Sequence, residues 1–182
     1  MPNILKLPFN ENRDHYFGSP IAPVEVIAYA DFQCEYSGEI YTSIKWLRQY
    51  LGNDLKFVFR HYPLPNVHSL ALEAAVAAEA AGLQGKFWDM HDLIFENQRF
   101  LVRSSFSRFA EEIELDTTLM EDRLGYKRLV HKVINDFESG VKSGVDGTPT
   151  LFINGRRYNG FIDAENLYRT CNYEMNLNSI AV

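Results

Sequence analysis

Val24-Glu25-Val26-Ile27-Ala28-Tyr29-Ala30 is an almost unbroken apolar run, the pattern of a strand buried on both faces. After it the period changes. Ile40, Ile44, Leu47 and Leu51 fall on one face at helical spacing, which predicts a helix over roughly Glu35 to Leu51. Gly52-Asn53-Asp54 ends that helix and turns the chain. From Leu55 to Tyr62 the period drops to two, with Leu55, Phe57 and Phe59 alternating against Lys56, Val58 and Arg60, a second strand. Strand, helix and strand joined by short connections form a right-handed parallel unit by default. Before Val24 the chain is rich in turn formers (Asn10, Asn12, Gly18, Ser19, Pro20, Pro23) and reads as an arm leading into the first strand.

Pro63-Leu64-Pro65-Asn66 closes the second strand, and a long helical stretch follows. It comprises an alanine-rich segment from Leu70 to Leu83, an aromatic-rich one from Gly85 to Asn97, and a short helix from Ser104 to Ile113. A further helix is capped by Asp116, and a clear stripe runs from Leu129 to Val141 through Val130, Val133, Ile134 and Phe137. Strand signals then return. Leu151-Phe152-Ile153 passes through an Asn154-Gly155 hairpin turn into Arg156 to Tyr158, and Asp163 caps a last helix to about Asn172. The order β-α-β, helical insert, β-β-α is that of an α/β thioredoxin fold with an α-helical insertion between its halves. It is expected as one domain over 1–182, with the insertion at about 66–145.

The composition agrees with one packed unit: 182 residues, 46% hydrophobic, 14% aromatic. A net charge of -6 argues against a nucleic-acid partner, which would require a basic stripe. No apolar run reaches the length of a bilayer, so no membrane partner is expected. Met1 to Tyr16 lacks the apolar core of a secretory signal, from which a cytoplasmic location is expected, a mature form with its signal removed staying open. The histidines show no metal-ligand spacing, and no Ser-His-Asp set or nucleotide fingerprint occurs. His61 and His68 flank the proline turn and read as structural.

The chemistry concentrates on Cys34, in Phe32-Gln33-Cys34-Glu35-Tyr36-Ser37. A cysteine where a strand gives way to a helix lies at the positive end of the helix dipole, among unpaired N–H groups. Such a site favours the thiolate, the reactive species. The bland alternative is a small buried hydrophobe. The adjacent Glu35 opposes the thiolate. Ser37, one turn on, stands where a redox Cys-x-x-Cys motif has its second cysteine. Its hydroxyl could donate to the Cys34 sulfur, but it cannot attack a mixed disulfide there, so no disulfide between positions 34 and 37 can form. Ser37 is either a natural variant or a substitution that traps mixed disulfides. Cys171, in the last helix, reads as a core cysteine; the sharper alternative makes it the resolving thiol.

These residues resemble the DsbA-like branch of the thioredoxin superfamily. Asp31-Phe32-Gln33-Cys34-Glu35-Tyr36-Ser37 is similar to that family's active-site segment, usually Asp-Phe-x-Cys-Pro-Tyr-Cys. Gly147-Thr148-Pro149-Thr150 is similar to the segment holding its cis-proline, and Arg60-His61-Tyr62-Pro63-Leu64 to its second strand. The chain departs from the pattern at Glu35, where proline is usual, and at Ser37. The resemblance implies a cis bond before Pro149, catalytic roles for Cys34 and Ser37, and a substrate-binding surface at Thr148, Pro149 and Tyr36.

The function expected is that of a thiol–disulfide oxidoreductase working by a monothiol route. Cys34 forms a mixed disulfide and an external thiol releases it. No tightly bound cofactor is expected; glutathione is the candidate co-substrate, and the partners are protein or low-molecular-weight disulfides and thiols. Two alternatives are a non-redox module that binds extended peptides, and a glutathione-dependent isomerase or transferase.

Overall fold

The computed structural model describes residues 4–116 and 123–180. Its elements are β1 (His15–Gly18), β2 (Val24–Ala30), α1 (Glu35–Leu51), β3 (Leu55–His61), α2 (Ala71–Gly82), α3 (Phe87–Glu96), α4 (Arg103–Glu112), α5 (Arg123–Lys142), β4 (Thr150–Ile153), β5 (Arg156–Arg157) and α6 (Ala164–Ile180). The strands form one sheet in the order β1-β3-β2-β4-β5. β2 and β3 run parallel from Val24↔Leu55 to Ala30↔His61, while β1 on β3 and β4 on β2 are antiparallel. The thioredoxin arrangement expected from the pattern is therefore present, with α2 to α5 between β3 and β4.

Both sheet faces are covered, which is why β2 reads as a continuous apolar run. Val24, Val26, Ala28, Phe57 and Phe59 face the larger core, with side chains of α1, α2, α3 and α6. Ile27, Tyr29, Val58 and Phe152 face the other way, under Leu5, Phe9 and Phe137. Asn154 and Gly155 take positive φ (46° and 76°), as a two-residue hairpin turn requires.

Three expectations change. The segment before Pro23 is not only an arm: His15–Gly18 is an edge strand on β3. The run is short and set among turn formers, and its partner lies beyond α1, so no local period marks it. The alternation in β3 does not separate core from solvent either, since all seven residues are buried. α6 also continues past Asn172, to Ile180. The helix start assigned to Asp116 falls on 117–122, outside the described residues.

The polar positions of β3 are buried because each has its own partner. Arg60, wholly inaccessible, donates from Nε and Nη2 to the Asp14 carboxylate, both at 3.0 Å. Its Nη1 donates to Tyr29 Oη and the Leu7 carbonyl, and Nη2 also to the Pro8 carbonyl. The guanidinium thereby ties the N-terminal segment to the sheet. On the other face, Glu79 of α2 accepts from His15 Nε2 at 3.0 Å and His61 Nε2 at 2.9 Å. Lys132 of α5 lies 3.6 Å from Glu79 and 2.6 Å from Asp136.

Burial alone would push the Asp14 carboxyl up, but hydrogen bonds from Arg60 and Arg13 outweigh it and hold the group below its ordinary range. Glu79 is likewise held well below its range: burial opposes, but hydrogen bonds from His15 and His61 and the charges of His61 and Lys132 prevail. Carboxyls held low bind fewer protons in the folded than in the unfolded chain. Their contribution is complete above about pH 5 and is lost as the pH falls through and below the ordinary carboxylate range. Urea unfolding followed by circular dichroism should show stability declining below about pH 5, and Glu79→Gln should flatten that decline. Asp14→Ala, which strands a buried guanidinium, should cost about 3–5 kcal/mol at pH 7.

Candidate active site

Cys34 is the N-cap of α1, extended at φ -72° and ψ 119°. The turn that holds it is built by Asp31, the residue after β2. The buried Asp31 carboxylate accepts from Gln33 N–H at 2.8 Å, Leu64 N–H at 2.8 Å and His68 Nδ1 at 2.9 Å. Its carbonyl accepts from Cys34 N–H at 3.1 Å. One side chain thus fixes the loop that carries the sulfur and the Pro63–His68 turn beside it. Gln98, in the 3-10 turn after α3, donates to the carbonyls of Phe32 (2.9 Å) and Cys34 (2.8 Å). The approach is so close that a Cβ at Gly38 would lie 2.6 Å from Gln98 Oε1, which explains a glycine inside α1.

The Cys34 thiol donates to the Thr148 carbonyl at 3.2 Å. The Thr148–Pro149 peptide is cis, and Thr148 and Pro149 are half-buried beside the sulfur. The 34–37 loop and the 147–150 segment, distant in sequence, therefore meet. Cys34 retains 7% exposure. Tyr36, in the next turn, is 66% exposed and free to meet a partner. Glu35 points into solvent, 3.8 Å from Arg99, so its charge is screened by water rather than aimed at the sulfur. A thiol can donate to the Thr148 carbonyl but a thiolate cannot.

Ser37 is placed differently from the expectation. It is buried, and its Oγ accepts from Asp31 N–H at 3.4 Å; no hydrogen bond joins it to the Cys34 sulfur. Cys171 is wholly buried in the main core with Leu167, and the two cysteines are not bonded to each other. Burial, with a smaller push from Glu174, raises its thiol to about 12. That environment is inert, as the core reading of Cys171 requires.

His61, Glu79 and Asp136 bring ligand-type atoms within 4.8 Å of one another. The Lys132 ammonium already contacts both carboxylates, so a cation is in place there. Gln98 is the positioning residue that no motif disclosed; Asp31 stands in the active-site motif, which gave it no role. The signal for Gln98 was Gly38, a helix-weakening residue in an otherwise regular stripe.

A family model described as Thioredoxin matches residues 10–172. A protein of Salinispora arenicola named Na(+)/H(+) antiporter NhaA 1 is 40% identical over 163 residues, which is 90% of this chain and 25% of the relative. Its namesake in Mycolicibacterium gilvum is 37% identical over 164 residues, 89% of this chain and 27% of the relative. The chain thus spans about a quarter of the length of the curated relatives it matches. Among solved structures, alpha-DsbA1 of Wolbachia pipientis superposes with a TM-score of 0.83 at 18% identity, covering 100% of this chain and 99% of that one. BdbD of Bacillus subtilis gives 0.79 at 21% identity, over 92% and 95%. At such identities the superpositions establish the fold.

Gln98→Ala should destabilise the protein by about 1 kcal/mol in urea unfolding, because the Phe32 carbonyl loses the Gln98 donor while the Cys34 carbonyl keeps the Ser37 and Gly38 N–H groups. In the folded protein at pH 8, iodoacetamide should leave Cys171 unmodified; denaturation should make it react.

Proposed function

The chain belongs to the thioredoxin family, and we propose that it is a thiol–disulfide oxidoreductase acting by a monothiol route through Cys34. The observation that carries this reading is the Cys34 sulfur on a helix N-cap, 3.2 Å from the carbonyl of a cis Thr148–Pro149 peptide. The Cys34 thiolate attacks one sulfur of a substrate disulfide. The Cys34–substrate S–S bond forms as the substrate's own S–S bond breaks, and the other sulfur leaves as a thiolate. Ser37 offers no second thiol, so an external thiolate attacks the mixed disulfide at the substrate sulfur and returns Cys34 as thiolate. The disulfide thus passes from the substrate to the pairing of substrate and external thiol.

Glutathione is the external thiol we assign, and protein or small disulfides are the substrates, held along Thr148, Pro149 and the exposed Tyr36. Such a route suits a cytoplasmic setting, where glutathione is abundant and reducing. The antiporter names belong to proteins of which this chain covers about a quarter. We take from them the matching thioredoxin segment and assign no ion transport to it. Among the described residues no helix is long and apolar enough to cross a membrane.

Incubation with oxidised glutathione followed by intact-mass measurement should give one glutathione adduct, absent in Cys34→Ala and removed by excess reduced glutathione. An unmodified wild-type protein would sink the redox reading and favour peptide binding without exchange. Ser37→Cys should convert the adduct into an internal disulfide, two mass units below the dithiol on the order expected for loss of two hydrogens.

A further inference from the structure

Behind the Cys34 loop, between α1, α3 and the sheet, lies a cavity of about 390 Å³ that the redox reading does not use. Its inner end is at Ser37 and its rim includes Lys45 and Arg48, residues from the first to the last turns of α1. At the helical rise, eleven residues span roughly 16 Å, so the space is a trench rather than a sphere. It exists because Ala28 and Ala30 present only methyl groups on the sheet floor. Aromatic side chains, Phe17, Phe57, Phe59, Trp88 and Phe95, form the rest of the floor and the α3 wall.

Small-molecule pockets occupy about 300–1,000 Å³, and an apolar cavity of about 150 Å³ already accepts benzene. The trench therefore has room for a ring and a chain. Most of the polar groups on its lining are engaged. Lys45 is paired with Glu96 at 2.9 Å, and Asp92 accepts from His91 Nδ1 at 2.8 Å. Burial, partly offset by Asp92, holds His91 below its ordinary range, so this ring is neutral. Arg48 differs. It is exposed, its guanidinium lies 4.6 Å from the Phe17 ring centroid, and among the described residues it has no carboxylate partner. A fork of donors at one end of an aromatic trench is complementary to a carboxylate attached to an apolar body.

We propose that this trench binds an elongated aryl carboxylate, its ring among the aromatic side chains and its carboxylate on Arg48. Binding would not involve the Cys34 sulfur, so it stands or falls separately from the exchange reaction. The two tryptophans report on it: Trp88 lines the trench, whereas Trp46 lies outside, stacked on Tyr50 at 3.9 Å.

The test is a titration of the full chain with 6-phenylhexanoate and with 6-phenylhexan-1-ol, read by the two indole N–H signals in ¹H–¹⁵N spectra. The acid should shift the Trp88 signal saturably while Trp46 stays in place, and bind at least about tenfold more tightly than the alcohol. Arg48→Gln, an exposed change that leaves the core intact, should abolish that preference, and Lys45→Gln should keep it. Equal binding of acid and alcohol would overturn the proposal. So would undiminished acid preference in Arg48→Gln, a response at Trp46 instead of Trp88, or no saturable response.

Discussion

The Asp31 carboxylate is the point on which the reactive end of this molecule depends. β2 delivers it to the edge of the core with almost no exposure, and there it receives three N–H groups from two loops. An isolated carboxylate in that position would be expensive; three charge-assisted hydrogen bonds make it stable and also directional. Its direction sets the turn through Gln33, and the turn sets where α1 begins. Gln98 closes the same loop from the insert side through the Phe32 and Cys34 carbonyls. The loop that carries the sulfur is therefore fixed by the Asp31 and Gln98 side chains, and the sulfur itself meets the Thr148 backbone carbonyl.

The same logic operates deeper in the sheet. Arg60 and Glu79 are both buried charges, and neither gains from burial itself. What each contributes is specificity of attachment. Arg60 recognises two carbonyls, a phenol and a carboxylate, and so fixes the register of an N-terminal segment that also packs Leu5 and Phe9 on the sheet. Glu79 ties α2 to β1 and β3 through two histidines, and Lys132 adds α5. The helical insert is thus registered on the thioredoxin core by polar contacts as well as by apolar packing, at Glu79 and again at Gln98.

Periodicity carried the long elements well. The limits of β2 and α1 agree with the structure because an apolar run and a helical stripe each continue without interruption between clear turn formers. The sulfur and the cis-proline were legible as a pair because each stands in a compact motif. What stayed hidden has one character: it depends on a partner far away in sequence. β1 needs β3 to exist as a strand, and the buried state of Lys56 and Arg60 needs Glu25 and Asp14. Gln98 looks like any polar residue until α3 lies against α1. Only Gly38 marked the contact beforehand, by its lack of a Cβ.

Ser37 joins the two parts of the site, and its position explains what a serine changes there. Residues three apart at a helix start are spatial neighbours, so position 37 lies within the reach from which a second sulfur could attack Cys34. Nothing in the fold removes that proximity; the side chain's oxygen does. The hydroxyl instead takes the Asp31 N–H and, on its other side, borders the aromatic trench. That bond is long at 3.4 Å, and a sulfur at this position would be a weaker acceptor still. Serine therefore gives up internal disulfide formation while keeping a small buried side chain against the Asp31 backbone. On the proposed route this is consistent: a sulfur that relies on an outside thiol has no use for a second one, and the Asp31 and Gln98 bonds already hold its loop facing Thr148.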